Sequence, residues 1–161
     1  MSTILIGYYS RTGNTKAMAQ EIGRGAQEAG ATVDVKPVEK ILVESLTEYH
    51  AIVLGSPDYY GSMAAQVKKL LDDSVKFHGQ LAGKVGGGFS SSANIGGGNE
   101  TTILSIVQAL LVHGMVVPGV AIGDHYGPVS INAPDERVLR QCRNYGQVIA
   151  KLAAAVAHMA K

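Results

Sequence analysis

Ile4-Leu-Ile-Gly-Tyr-Tyr-Ser-Arg-Thr-Gly-Asn-Thr15 is an apolar strand that runs directly into hydroxyls and a glycine and then into a helix. Ser10, Thr12 and Thr15 offer hydroxyl donors, and Gly13 lets the backbone approach an anion. The helix opening near Asn14 aims free N–H groups and a partial positive charge at the same point. The segment therefore reads as a phosphate cradle, the alternative being a Ser/Thr-rich turn with an ordinary N-cap. Neither familiar nucleotide signature is present. No G-x-G-x-x-G follows the first strand, and Gly79-Gln-Leu-Ala-Gly83-Lys84 is one residue short of a Walker loop, with Val85 where a metal-binding hydroxyl belongs.

Working outward, apolar runs of strand length recur at 3–9, 32–38, 50–55, 84–89 and 115–122. Helical patterns fill most of the intervals. Met18, Ile22, Ala26 and Ala29 line one face of a helix over 14–29 that Gly30 stops. Val67, Leu70 and Leu71 do so near 63–75, and Ile103, Val107, Leu110 and Leu111 over 100–113. In the last helix the face is Val138, Cys142, Tyr145, Ile149, Leu152 and Val156. Strands that are continuous rather than alternating apolar runs are buried on both faces. The expected fold is therefore a three-layer α/β/α sandwich around a five-stranded parallel sheet of order 2-1-3-4-5. Ligands of such sheets bind at the carboxyl ends of the strands, where the order reverses, which singles out the loops 10–15, 56–62 and 90–99.

A chain of 161 residues with 46% hydrophobic content suits one domain over 1–161. Its formal charge of +1 gives no footprint for nucleic acid. Cys142 is the single cysteine, so an internal disulfide and a multi-cysteine zinc site are excluded. Met1-Ser2-Thr3 lacks the basic start of a signal peptide, and no apolar run reaches membrane-spanning length, so a cytoplasmic protein without membrane attachment is expected. The histidines at 50, 78, 113, 125 and 158 lack ligand spacing, and no metal is expected. His113 reads as a helix-terminal histidine interacting with the last carbonyls.

Two of the three edge loops add a second kind of chemistry. Pro57-Asp58-Tyr59-Tyr60-Gly61 places two aromatics where they could stack on a flat ring or face solvent as turn residues. Ser91-Ser92-Ala93-Asn94-Ile95-Gly96, with Gly97 and Gly98 beyond it, would let main-chain N–H groups approach a planar heterocycle. Other chemistries of this architecture fail on single residues. A receiver domain needs acids where Tyr8, Tyr9 and Ser56 stand, and a low-molecular-weight phosphatase needs its cysteine in the first loop.

Ser10-Arg11-Thr12-Gly13-Asn14-Thr15 resembles the loop with which flavodoxins hold the phosphate of FMN. Ser56 to Met63, Phe89 to Thr102 and His113-Gly114-Met115 resemble the WrbA-type NAD(P)H:quinone oxidoreductases of the same superfamily. The resemblance implies non-covalent FMN, with its phosphate on 10–15, its ring against 58–60 and its pyrimidine side on about 91–96. NAD(P)H and quinone-like acceptors are the implied substrates, and the chemistry would be carried by FMN, with no catalytic residue visible. A flavodoxin-type electron carrier serving a redox protein partner is the alternative. This chain is more compact at 39–49 than WrbA-type proteins, has Val112-His113 where they have two histidines, and keeps the carrier form Thr12-Gly13-Asn14-Thr15. A homodimer or homotetramer is a further implication, to which the small residues of Leu152-Ala-Ala-Ala-Val-Ala157 are suited.

Overall fold

The computed structural model describes residues 1–159. Its elements are β1 (Thr3–Tyr8), α1 (Asn14–Glu28), β2 (Thr32–Pro37), β3 (Ala51–Pro57), α2 (Ala65–Asp73), β4 (Val85–Ser92), α3 (Asn99–Val112), β5 (Val129–Ile131) and α4 (Glu136–Met159). All strand pairs are parallel and the order is β2-β1-β3-β4-β5, as expected from the apolar runs. The crossover from β2 to β3 uses 3-10 turns at Val38–Lys40 and Val43–Glu48 in place of an α-helix.

Alternate strand residues enter opposite layers. Ile4, Ile6, Ala51 and Val53 pack with Met18 and Ile22 of α1 and Cys142, Tyr145 and Ile149 of α4. Leu5, Ile52 and Leu54 pack with Val67 and Leu70 of α2 and Ile106 and Leu110 of α3. Burying both faces is what demanded continuous apolar strands. The sheet register then brings the strand ends together: Tyr8 lies opposite Gly55, Pro57 opposite Ser91, and Ser91 opposite Ser130.

Two expectations need correction. The fifth strand is Val129–Ile131, not 115–122. Val116 makes one parallel bridge to Val85, with its amide on the Lys84 carbonyl and its carbonyl accepting from Gly86. Pro118 and Gly119 follow after Val117, and a proline cannot donate to a ladder. The chain therefore leaves the edge and rejoins it at Val129, beside Ser90. On α3 the buried line is Ile103, Ile106 and Leu110, whereas Val107 is half-buried and Leu111 is exposed. That helix is apolar nearly all round, so periodicity alone does not select its inner face.

Candidate functional site

At the carboxyl edge of the sheet the loops after β1, β3 and β4 enclose a cavity of about 450 Å³. Its lining comprises Arg11, Thr12, Asn14, Thr15, Pro57, Asp58, Tyr59, Ser91, Ser92 and Ala93, together with Asn132. Such a volume lies in the range of small-molecule and cofactor sites.

The first wall is the turn into α1. Gly13 is its N-cap residue, in the left-handed region with φ 97°, and has no side chain of its own to cap the helix. The opening turn therefore faces the cavity with main-chain donors and the positive end of the helix dipole. Ser10 ties the turn to the first turn of the helix. Its hydroxyl oxygen accepts from the amides of Gly13 at 3.1 Å and Lys16 at 3.2 Å. Arg11 adds a cationic side chain to the lining. On the floor, the buried hydroxyls of Thr15 and Ser91 are 2.9 Å apart and tie α1 to β4.

The second wall is the loop after β3. Tyr59 and Ser62 exchange both backbone hydrogen bonds, at 3.0 and 3.2 Å, closing a two-residue turn on Tyr60 and Gly61. Both central residues have positive φ, 54° and 78°, the signature of a type I′ turn. Tyr59 borders the cavity and meets the ring of Tyr9 edge-on, with centroids 6.4 Å apart. Tyr60 projects wholly into solvent.

Ser91, Ser92 and Ala93 form the third wall, where the Ser92 hydroxyl donates to the Asn94 carbonyl at 3.0 Å. Ser10, Gly13, Tyr60, Gly61, Asn94, Ile95 and Gly96 belong to the same three loops but are not part of the lining. Asn132 is the lining residue that sequence reading missed. It sits just beyond β5 with φ 58°, donates its amide to the Ser92 carbonyl at 2.8 Å, and reaches the Ala93 carbonyl from its side chain at 3.4 Å. Asparagine tolerates the left-handed region, so Asn132-Ala-Pro after a β-branched pattern was the available signal.

His113 lies at the far end of α3, a 14-residue helix of about 21 Å, from the loop that borders the cavity. Instead of meeting the last carbonyls of α3, its Nε2 is 2.8 Å from the Ser74 hydroxyl at the end of α2. Ser74 already donates to the Leu71 carbonyl at 2.7 Å, so Nε2 carries the proton. Burial, and then neighbouring His78, hold its pKa below the ordinary value of 6.5. Cys142 is buried and its thiol is pushed up to about 12, chiefly by desolvation, which removes it as a nucleophile. His158 lies outside the side chains described. Among the described residues no helix is long and apolar enough to cross a membrane.

A doubly wound parallel sheet whose first strand passes through a hydroxyl- and glycine-containing turn into a helix, beside a cavity bordered by Tyr59, is the architecture of a flavodoxin-like domain. A family model described as a flavodoxin domain matches residues 5–95, more than half of the chain. The chain belongs to the flavodoxin family, and membership implies a flavin cofactor. It is 36% identical to an NAD(P)H dehydrogenase (quinone) of Nitrobacter winogradskyi, covering 96% of this chain and 98% of that protein. Against the protein of the same name from Bradyrhizobium sp. strain ORS 278 the identity is 34%, with 95% and 98% covered. The first alignment spans 195 positions against a chain of 161 residues, so that relative carries insertions this chain lacks. Among solved structures, a WrbA-like flavodoxin from Agrobacterium tumefaciens superposes with a TM-score of 0.82 at 30% identity, covering 96% of this chain and 99% of the other. A flavodoxin from the domain Archaea gives 0.80 at 28% identity, with 94% and 99% covered.

Proposed function

We propose that residues 1–161 form one FMN-binding domain that passes two electrons from NAD(P)H to a quinone. The observation that carries this reading is the 34–36% identity, over nearly the whole of both chains, to proteins named NAD(P)H dehydrogenase (quinone). The cavity fits FMN. Open space around the left-handed Gly13 at the start of α1 suits a terminal phosphate, and Tyr59 gives the adjoining wall an aromatic ring.

In this reading Thr12, Asn14 and Thr15 bind the phosphate through main-chain and hydroxyl donors, with Arg11 as counter-charge. Tyr59, Pro57 and the main chain of Asp58 bound one side of the ring, and Ser91, Ser92, Ala93 and Asn132 the other. Ser10, Gly13, Tyr60, Gly61, Asn94, Ile95 and Gly96 complete the three loops that position these groups. FMN, when bound, would supply the redox chemistry, hydride-equivalent transfer between the nicotinamide and the acceptor. The balance is NAD(P)H, a proton and a quinone giving NAD(P)⁺ and a hydroquinone. The chain's part is to orient the two substrates in turn at one open face, so donor and acceptor compete for it. A cytoplasmic homodimer or homotetramer belongs to the same proposal, and light scattering that returns a monomer mass at micromolar concentration counts against the assembly.

The carrier form of the loop, Thr12-Gly13-Asn14-Thr15, favours a second reading, an electron carrier for a redox protein. One sample separates the two. The purified protein should bind FMN far more tightly than riboflavin. NADH or NADPH, added without oxygen, should bleach its visible spectrum, and a soluble benzoquinone should restore it. Bleaching by dithionite but by neither nicotinamide would replace the enzyme reading with the carrier one.

A further inference from the structure

We propose that Asp58 is a positioning residue, whose carboxylate holds the tyrosine turn of the site in place by tying it to α3 rather than by touching the flavin. This rests on the FMN reading above. Oδ1 of Asp58 accepts two hydrogen bonds, from the Gly61 amide at 2.9 Å and from the Thr102 hydroxyl at 2.8 Å. The Asp58 amide donates to the Ser91 carbonyl at 2.7 Å. One residue thus joins the turn after β3, the end of β4 and the first turns of α3. Thr102 is fully buried and does not line the cavity.

The turn needs such a restraint. A type I′ turn requires positive φ at both central residues, which suits Gly61 but not Tyr60, because a bulky side chain in the left-handed region is strained. Free of restraint, the segment gains by relaxing Tyr60, and Tyr59 then loses its place on the cavity wall. The carboxylate opposes this by satisfying the Gly61 amide from outside the turn. Room for it is made at Gly98. A β-carbon there would lie 2.7 and 2.9 Å from the two carboxylate oxygens and 2.8 Å from the Gly61 α-carbon. Both oxygens are therefore packed against the start of α3, and the glycine-rich loop reaches the tyrosine turn through this contact.

FMN titration of four variants tests the assignment. Thr102→Val, which loses one hydrogen bond to a charged group, and Asp58→Ala, which loses two that serve the same tie, should each weaken FMN by about tenfold or more. The double variant should be no worse than the weaker single, because both remove the same tie. Asp58→Asn keeps an acceptor oxygen for both donors and should bind within about twofold of wild type. Flavin fluorescence quenching should fall in Asp58→Ala and Thr102→Val and return in Asp58→Asn. A neutral Thr102→Val, or an Asp58→Asn as damaging as Asp58→Ala, overturns the proposal, since either would mean that Asp58 acts on the flavin directly or through its charge. Without cofactor, the Gly61 amide proton should be protected from exchange in wild type and in Asp58→Asn, and lose that protection in Asp58→Ala and in the double variant. Protection that persists in Asp58→Ala sinks the tie. A wild-type chain that binds no FMN sinks the functional reading instead, and the amide measurement still decides the tie.

Discussion

Gly13 acts through its backbone alone. Its φ of 97° turns the chain from β1 into α1, and a β-carbon built there would meet nothing within 4 Å. The cost of a side chain is therefore conformational, about 1–2 kcal/mol for an L-residue in the left-handed region and more for a β-branched one. Gly13→Val should relieve that strain by reshaping the turn, which removes the main-chain donors from the phosphate. The expected result is a loss of FMN affinity of at least tenfold with riboflavin affinity little changed, measured by fluorescence titration of both ligands. Equal losses for both would show that the turn serves the ring and not the phosphate. Sequence exposed this residue because glycine among hydroxyls after a strand has few other uses. It did not expose Asn132, whose contribution depends on where a three-residue strand ends.

At the scale of elements, α1 and α4 lie against each other at two glycines. A β-carbon on Gly25 would fall 1.9 Å from the Arg143 carbonyl oxygen, and one on Gly146 would fall 2.0 Å from that of Ile22. These obstacles are backbone, so no rotamer change relieves them. Arg143 then holds Glu21, which is largely buried, with contacts of 2.7 Å from Nε and 2.6 Å from a terminal nitrogen. Gly146→Ala must push α4 away from α1, and should lower the stability to urea by about 1–3 kcal/mol. Unchanged urea midpoints would mean that the two helices shift past each other freely. Neither helix contact was legible in sequence, where Gly25 and Gly146 look like ordinary helix weakeners. The continuous apolar strands made the sheet and its order legible, because burial on two faces leaves few alternatives. β5 was misread for the opposite reason: Met115-Val-Val117 is apolar enough for a strand but is cut short by Pro118, while Val129-Ser-Ile131 is too brief to stand out. The three loops of the site were legible from their positions after β1, β3 and β4, whereas the tie between Asp58 and Thr102 spans 44 positions and needs the fold to be seen.

At the scale of the whole molecule, two buried groups in the α4 layer of the core make stability sensitive to alkali. Burial pushes Cys142 up to about 12 from an ordinary 9.0, and Tyr145, whose hydroxyl oxygen accepts the Gly88 amide at 3.3 Å, up to about 12 from 10.0. In both cases the folded chain keeps a proton that the unfolded chain releases. Their stabilisation is complete below the unfolded values and is lost as pH rises through the folded ones. Of these two groups, Cys142 alone contributes between pH 9 and 10 and both contribute between 10 and 12, each by up to about 1.4 kcal/mol per pH unit. His113 acts at the other end. Its pKa is lowered, so the unfolded chain binds the extra proton, and stability rises with pH through its ordinary 6.5. Stability to urea, followed by far-ultraviolet circular dichroism, should therefore plateau between about pH 7 and 9 and fall with a steepening slope above it. Cys142→Ala should remove the part of the fall that begins at 9, and Tyr145→Phe the part that begins at 10, although the latter leaves the buried Gly88 amide without an acceptor and lowers the plateau itself by about 1–3 kcal/mol. A wild-type profile that stays flat to pH 11 would mean that both groups ionise freely in the folded chain, and that the core around α4 admits water.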